Sequence, residues 1–291
     1  MYYFKGSIMS ESILKCENLC FSYEDELSLN NISLDIKRGS VTAVLGRNGA
    51  GKSTLFLTLN GINIKDKGSV YFNDKLVEYN KKGISEIRRN IGIVFQDPND
   101  QLFSASVIKD VSFGALNLGL SHDEARKRAE KALKEVEMYD YMERPTHALS
   151  FGQKKRVAIA GILVMEPELI ILDEPTAGLD PMGANEILVL LKKINKEKGT
   201  TIIIATHEMD IVPLYCDYAY VLDKGSVVMQ GSPEEIFCHA DELRKYDLRL
   251  PRIAHLMEIL KKYDNIAVDE SIDTISKARR AIKELVNGKS N

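Results

Sequence analysis

Apolar and polar positions along the chain change period several times, and each change predicts a different kind of element. Ile32, Leu34 and Ile36 alternate with Ser33 and Asp35, the period of a strand with one buried face. Lys37-Arg38-Gly39-Ser40 reads as the turn that ends it. Residues 41–45 are a short apolar run that stops at a glycine cluster, and residues 53–59, rich in helix formers, lead from that cluster to Asn60-Gly61. The alternation of residues 70–77 around Asn73-Asp74 predicts a hairpin, and residues 91–95 predict a strand ending at Gln96. From Asp97 the period becomes helical. Ser121 with Glu124 forms a capping box ahead of Ala125, Ala129, Ala132, Leu133 and Val136. Arg144-Pro145 interrupts the pattern, and Ser150 opens a second helix predicted to reach Met165. Residues 169–172 and 201–206 are β-branched and almost wholly apolar, with helical residues 187–196 between them. Strands covered by helices on both faces, as in a parallel sheet, have this composition.

Past residue 232 the pattern becomes that of an appendage. Ser232-Pro233-Glu234-Glu235 is a helix start with proline at the first position. Ile253, Leu256, Met257 and Leu260 form one apolar stripe, and Ile275, Ala278, Ile282, Leu285 and Val286 another; both read as packing surface. Residues 1–10 read as an N-terminal extension, with Met9 a second candidate start.

Composition narrows the class. With 44% hydrophobic and 28% charged residues among 291, the chain can bury a substantial core. The longest apolar run, residues 157–165, ends at Glu166-Pro167, about half of the ~18 residues a membrane span needs. Lys plus Arg total 39 against 42 Asp plus Glu, a net charge of −3, so no bulk attraction to nucleic acid or anionic lipid is expected. The N-terminus lacks the pattern of a signal peptide. Four cysteines in this length make no disulfide framework, and reduced thiols in a cytoplasm are expected. Cys16 and Cys20, four apart on a strand-like stretch, are expected to share a face.

The glycine cluster carries chemistry. Gly46-Arg47-Asn48-Gly49-Ala50-Gly51-Lys52-Ser53 fits G-x-x-x-x-G-K-[ST], with a strand before it and Thr54-Leu55-Phe56-Leu57 opening a helix after it. A polyanion must be wrapped by main-chain N–H groups, so the loop needs glycines that permit close approach, and the helix adds its positive end. Lys52 supplies a charge for the β- and γ-phosphates, and the Ser53 hydroxyl can ligate Mg²⁺. A second element follows at Leu169-Ile170-Ile171-Leu172-Asp173-Glu174. Asp173 at the strand tip is suited to orient the Mg²⁺ shell, and Glu174 to polarise an attacking water.

Between these elements, Leu149-Ser150-Phe151-Gly152-Gln153-Lys154-Lys155-Arg156 resembles the LSGGQ signature of ABC-type ATPases. Other pieces fall in that family's order. Tyr23 resembles its adenine-stacking aromatic, Gln96 its Q-loop glutamine, Ala177-Gly178-Leu179-Asp180 its D-loop, and His207 its switch histidine. The resemblance spans residues 10–235. It implies an α/β P-loop fold with an antiparallel β subdomain and a helical subdomain near residues 97–167. Residues 11–235 are then the nucleotide-binding domain and 236–291 a C-terminal helical extension that holds a dimer together. By the same resemblance the catalytic residues are Glu174, His207 and Lys52; residues 46–54 and Tyr23 hold ATP; Ser53, Gln96 and Asp173 hold Mg²⁺. Ser150, Phe151, Gly152 and Gln153 close on the ATP of a second, head-to-tail subunit, with Asp180 in the D-loop. Lys154, Lys155 and Arg156 read equally as part of that site or as the solvated face of a helix. Phe151 departs from the family pattern, where a glycine stands. Its side chain is expected to turn into the helical subdomain, leaving Gly152 to make the close approach. His122, His147, His239 and His255 have no such context and read as structural.

Gln96-Asp97-Pro98-Asn99-Asp100-Gln101-Leu102-Phe103 and the tail Leu248-Arg249-Leu250-Pro251-Arg252-Ile253 resemble the energy-coupling-factor group of importers, nearest its cobalt-importer branch. The function implied is ATP hydrolysis that energises a cobalt or related metal importer, on the cytoplasmic face of a membrane, with integral subunits docked at the Q-loop region. A vitamin importer of the same group is the alternative. A nucleic-acid-acting ABC ATPase, with its coiled-coil insertion or fused second domain, fits neither the single nucleotide domain nor the charge. A nucleotide-binding protein without turnover should lack Glu174 or His207, and both are present.

Overall fold

The computed structural model describes residues 12–269 and 271–288. The extension expected at residues 1–10 lies outside them. β1 (Ser12–Tyr23) and β2 (Glu26–Lys37) pair antiparallel along their length. The burial alternation of β1 slips at Asn18, which has φ 51. Before it Leu14 and Cys16 are buried, after it Leu19 and Phe21. A bulge of this kind reverses the faces, so Cys16 is buried while Cys20 is only half-buried. The expectation that the two thiols share a face is thereby overturned.

β3 (Val41–Leu45) is buried at all positions and runs through a loop into α1 (Lys52–Leu59). β4 (Lys67–Phe72) and β5 (Lys75–Leu76) form the hairpin that the alternation predicts, turning on Asn73 and Asp74 with φ 50 and 60, the backbone of a type I′ turn. The first sheet is four-stranded, in the order β2-β1-β4-β5. α2 (Lys81–Asn90), capped by Asn80, then leads into β6 (Ile91–Val94).

The middle of the chain is helical, as its period predicts. α3 (Val107–Asn117), α4 (His122–Glu135) and α5 (Phe151–Leu163) pack on one another, with α4 burying Ala125, Ala129, Ala132 and Leu133. Ser121 caps α4 at the Glu124 N–H, and Ser150 with Gln153 makes a reciprocal capping box on α5. β7 (Leu169–Asp173), α6 (Pro181–Lys198) and β8 (Thr201–Thr206) restore the α/β pattern. α6 begins six residues before the predicted 187, because Asp180 caps it and Pro181 supplies its first turn. After α7 (Val212–Tyr215), β9 (Tyr218–Asp223) and β10 (Ser226–Gly231) form a hairpin.

The second sheet has the order β10-β9-β3-β8-β7-β6, with β9, β3, β8, β7 and β6 mutually parallel. Its two faces enter different cores. Ala43, Leu45, Ile170, Leu172, Ile202 and Ile204 face the helices, whereas Val44, Leu169, Ile171, Ile203 and Ala205 face α1 and the first sheet. Burial on both faces is why these strands read as unbroken apolar runs. The carboxyl ends of β3, β7 and β8 lie together, the position where open parallel sheets present ligand sites.

The chain ends in α8 (Pro233–Phe237), α9 (Ala240–Lys245), α10 (Arg252–Lys262) and α11 (Ile275–Gly288). Ile236, Phe237, Leu243, Leu248 and Ala254 belong to the main core, while Met257, Val268, Ile272 and Ala278 form a small core of their own. The two apolar stripes are divided: Met257 and Ala278 point inward, and Leu256, Ile275, Ile282 and Val286 are exposed. No helix among the described residues is long and apolar enough to cross a membrane.

Candidate active site

Loop 46–51 leaves β3 in backbone that side chains resist. Gly51 has φ 101, and a Cβ there would stand 3.1 Å from the Ser28 oxygen and 3.4 Å from the Gly225 Cα. Gly225 braces the loop from beneath: its N–H donates to the Ala50 oxygen at 3.0 Å, and its own oxygen accepts from the Asn30 N–H at 2.7 Å. The β9–β10 turn is thus a second support of the phosphate loop, one the sequence reading passed over. Its signal was available, a Lys-Gly pair between two apolar stretches.

Arg47, Asn48 and Gly49 form the exposed crest of the loop, with Gly46 and Ala50 buried beneath it. Arg47 is ion-paired with Asp247, on the segment after α9. Lys52 is 6% exposed, and its Nζ donates to the main-chain oxygens of Gly46 at 2.7 Å and Arg47 at 3.1 Å. Burial lowers its pKa below the ordinary 10.5, opposed by the nearby carboxylates of Glu174 and Asp173. Ser53 Oγ donates to Asp173 Oδ2 at 2.5 Å, joining the start of α1 to the tip of β7. Ser28 donates to Thr54 Oγ1 at 3.2 Å and so ties β2 to α1. Tyr23, at the end of β1, is 48% exposed; it rests edge-on against Phe21 and accepts from Asn63 at 3.1 Å.

Glu174 is the most constrained group in the site. It is 5% exposed and has φ 46, outside the usual range of a residue with a long side chain. Oε2 meets His207 Nδ1 at 2.9 Å, while Oε1 is buried without a hydrogen-bond partner, 3.9 Å from Lys52 Nζ. A buried carboxylate oxygen left unpaired is costly, and such atoms concentrate at functional sites. His207 follows the end of β8 with its side chain 58% exposed, so the Glu174–His207 pair runs from the interior to the surface.

Lys52, Ser53, Asp173, Glu174 and His207 are therefore brought together by direct contacts. Gln96 lies exposed in the loop after β6, the strand beside β7, at the same end of the sheet as the cluster. The loop is tied to α5 by Gln101, a residue whose type announces no role: it accepts from the Phe95 N–H and donates to the Ala158 oxygen, both at 3.2 Å.

At the start of α5, Ser150 is exposed, and its Oγ accepts from the Gln153 N–H at 3.3 Å while Gln153 Oε1 accepts from the Ser150 N–H at 3.0 Å. The Phe151 ring does not turn into the helical subdomain. It lies on Gly178, where a Cβ would stand 2.8 Å from Cε1, and Gly152 lies against Leu179. An aromatic ring fits because the facing residue has no side chain. Asp180 caps α6 by accepting from the Gly183 N–H at 2.8 Å. Lys154 donates to Asn99 Oδ1, and Arg156 pairs with Glu186 and Glu137. Lys155, between them, is 2% exposed and donates to the Glu174 main-chain oxygen at 2.9 Å. Burial pulls its pKa down to about 8, opposed first by Glu174 and then by Asp97, Asp173 and Glu208. Nothing in a run of three basic residues singles out the middle one.

A glycine loop at a helix N-terminus, a buried lysine, a hydroxyl–carboxylate pair and a carboxylate–imidazole pair suit phosphoryl transfer from a nucleoside triphosphate to water. Comparisons with known proteins agree. Residues 29–177 match the ABC transporter family model. The chain is 56% identical over 280 residues to the energy-coupling factor transporter ATP-binding protein EcfA3 of Clostridium perfringens, covering 96% of this chain and 98% of that one. It is 51% identical to EcfA of Methanocaldococcus jannaschii, covering 93% and 96%. Among solved structures it is similar to cbiO1 of Clostridium perfringens, part of the ABC transporter complex cbiONQ, with TM-score 0.74, 58% identity and coverage of 85% and 99%. It is also similar to the dimeric ATP-binding cassette MJ0796 bound to ADP and Pi, with TM-score 0.68, 30% identity and coverage of 76% and 98%. The chain belongs to the ABC transporter family, as an ATP-binding and ATP-hydrolysing cassette of the energy-coupling factor type.

Proposed function

We propose that this ATPase energises an importer for cobalt or a related metal ion, working as a peripheral subunit on the cytoplasmic face of a membrane. The observation that carries its chemistry is the meeting of Lys52, Glu174 and His207 with the Ser53–Asp173 pair at one end of the parallel sheet. The amides of residues 46–54 and the N-terminus of α1 cradle the triphosphate, and Tyr23 stacks on the base. Lys52 exchanges the Gly46 and Arg47 carbonyls for phosphate oxygens. Water attacks the γ-phosphorus as the bond to the β,γ-bridging oxygen breaks, giving ADP and phosphate. Glu174 orients that water and takes its proton, and Lys52 and His207 stabilise the charge on the transferred group.

Mg²⁺ suits the hydroxyl of Ser53 and the carboxylate of Asp173, hard oxygen donors already in contact, with Gln96 on the neighbouring loop. When bound it offsets charge on the phosphate oxygens.

Ser150, Gly152 and the N-terminus of α5 are an anion site suited to the ATP of a second copy or a related chain in a head-to-tail dimer. The exposed apolar positions of α10 and α11 are the surface expected to add to that dimer. Phe103, 66% exposed, and Phe113, 45% exposed, meet edge to face beside the Gln96–Gln101 loop. An exposed aromatic pair there suits docking by the integral subunits. The choice of a metal as cargo rests on the resemblance of residues 96–103 and 248–253 to the cobalt-importer branch of the energy-coupling-factor group. Purification from native membranes, with identification of the co-purifying integral proteins and cobalt uptake by cells carrying Glu174→Gln, tests it. Loss of uptake with a metal-binding partner is expected; a vitamin-binding partner with unchanged cobalt uptake would overturn it in favour of vitamin import.

A further inference from the structure

Lys155 holds a buried ammonium at the start of the second turn of α5, one turn after Phe151, and its acceptor is a main-chain oxygen, that of Glu174. Burying an ammonium is costly, and a neutral acceptor offsets less of that cost than a carboxylate would. What the contact helps secure is the backbone on either side of the Glu174 Cα, which aims its side chain. The two peptide groups that meet there are held by three hydrogen bonds. The Glu174 N–H donates to the Ala205 oxygen on β8 at 3.1 Å, its oxygen accepts from the Ala177 N–H at 3.1 Å, and Lys155 supplies the third at 2.9 Å. Restraint is needed because φ 46 lies in the left-handed region that a residue with a Cβ resists. Relaxed backbone would swing the carboxylate away from Lys52 and His207.

The other end of the contact reaches the signature. The Lys155 ammonium stands 5.6 Å from the Phe151 ring centre, and that ring rests on Gly178. Phe151, Lys155 and the Glu174 main chain thus form a continuous path from the first turn of α5 to the carboxylate.

We propose that Lys155 is a positioning residue for hydrolysis, fixing the Glu174 backbone so that its carboxylate faces the phosphate site and tying that direction to the first turn of α5. The proposal rests on the reading of Glu174 as the group that activates water. In the full-length chain, Lys155→Met removes the donor and keeps the length, while Lys155→Gln keeps an N–H donor. Displacing a catalytic group by about 1 Å lowers turnover on the order of 100-fold. Lys155→Met is therefore expected to lower kcat about 10- to 100-fold with KM for ATP within about threefold, and Lys155→Gln to recover most of the rate. Added to Glu174→Gln, Lys155→Met should cause no further loss, since it acts through that side chain. Wild-type kcat in Lys155→Met, a loss carried by KM, or an equal loss in the Glu174→Gln background would overturn it. Should Lys155→Met fail to bind a fluorescent ATP analogue, Lys155→Gln decides: near-normal kcat upholds the proposal, and a low kcat with normal binding defeats it. If Glu174→Gln itself hydrolyses normally, the reading of Glu174 fails and the proposal fails with it. If only the Lys155 variants are normal, the fault lies with the proposal alone.

Discussion

Replacing Glu174 by glutamine keeps shape and removes one charge, so its consequences separate binding from chemistry. The carboxylate is 5% exposed, paired to His207 at 2.9 Å through Oε2 and unpaired at Oε1. A positioned general base contributes on the order of 10²- to 10⁴-fold, or about 3–5 kcal/mol of barrier at 1.36 kcal/mol per decade. Hydrolysis by Glu174→Gln should fall by that factor. Binding responds differently. The charge lies 3.9 Å from Lys52, an attraction of about 4 kcal/mol at an effective dielectric near 20, and it repels an incoming triphosphate by a comparable amount. The amide removes both terms together, so ATP affinity should hold or rise. Single-turnover phosphate release, beside titration with a fluorescent ATP analogue, measures the two effects independently. Phosphate release within tenfold of wild type would refute the assignment of Glu174. A matching loss of affinity would show that the carboxylate organises the loop and does not act on water.

Three further outcomes are expected. Ser53→Ala breaks the 2.5 Å contact with Asp173 and should raise the Mg²⁺ concentration for half-maximal hydrolysis about tenfold or more, from about 1.5–3 kcal/mol for a bond to a charged group; an unchanged Mg²⁺ titration would remove Ser53 from that role. Gly225→Ala, at φ 75 with its Cβ 2.4 Å from the Ser28 oxygen, should lower stability by about 2 kcal/mol or more in urea unfolding and weaken ATP binding through the phosphate loop; unaffected binding would disconnect the β9–β10 turn from the site. Arg244 forks onto Glu258 and, with Lys262, holds its carboxyl down to about 2 from an ordinary 4.5. The folded pKa being the lower one, this contribution is present above pH 4.5 and lost as pH falls from about 4.5 to about 2. Glu258→Gln should flatten that part of the stability profile, and an unchanged acid limb would refute the clamp.

Local chemistry made much of the molecule legible. The parallel strands were visible because burial on both faces leaves no polar alternation, as in β3 and β8. Caps at Ser121 and Ser150 and the turn at Asn73-Asp74 were visible because each needs a particular residue at a particular place. What escaped depends on contacts between distant segments. The slip at Asn18 that separates the faces of Cys16 and Cys20 shows in strand pairing alone. The support of Ala50 by Gly225, and the pinning of the Gln96 loop by Gln101, join residues whose types are unremarkable. Phe151 was misplaced because its accommodation depends on Gly178, a residue brought to it by the fold.

The site that results is loaded before nucleotide arrives. Two ammonium groups, on Lys52 and Lys155, are buried and donate to main-chain oxygens, while a buried carboxylate oxygen on Glu174 has no hydrogen bond. Each arrangement is less favourable than a direct Lys–Glu hydrogen bond, and the 3.9 Å between Lys52 and Glu174 shows how nearly one forms. Collapse into that bond would satisfy the charges and leave neither group available to phosphate or water. The β8 hydrogen bond, the turn to Ala177 and Lys155 hold Glu174 short of it. Stability is given up locally to keep two opposite charges close and uncommitted, which is the arrangement a polyanion and a water molecule can complete.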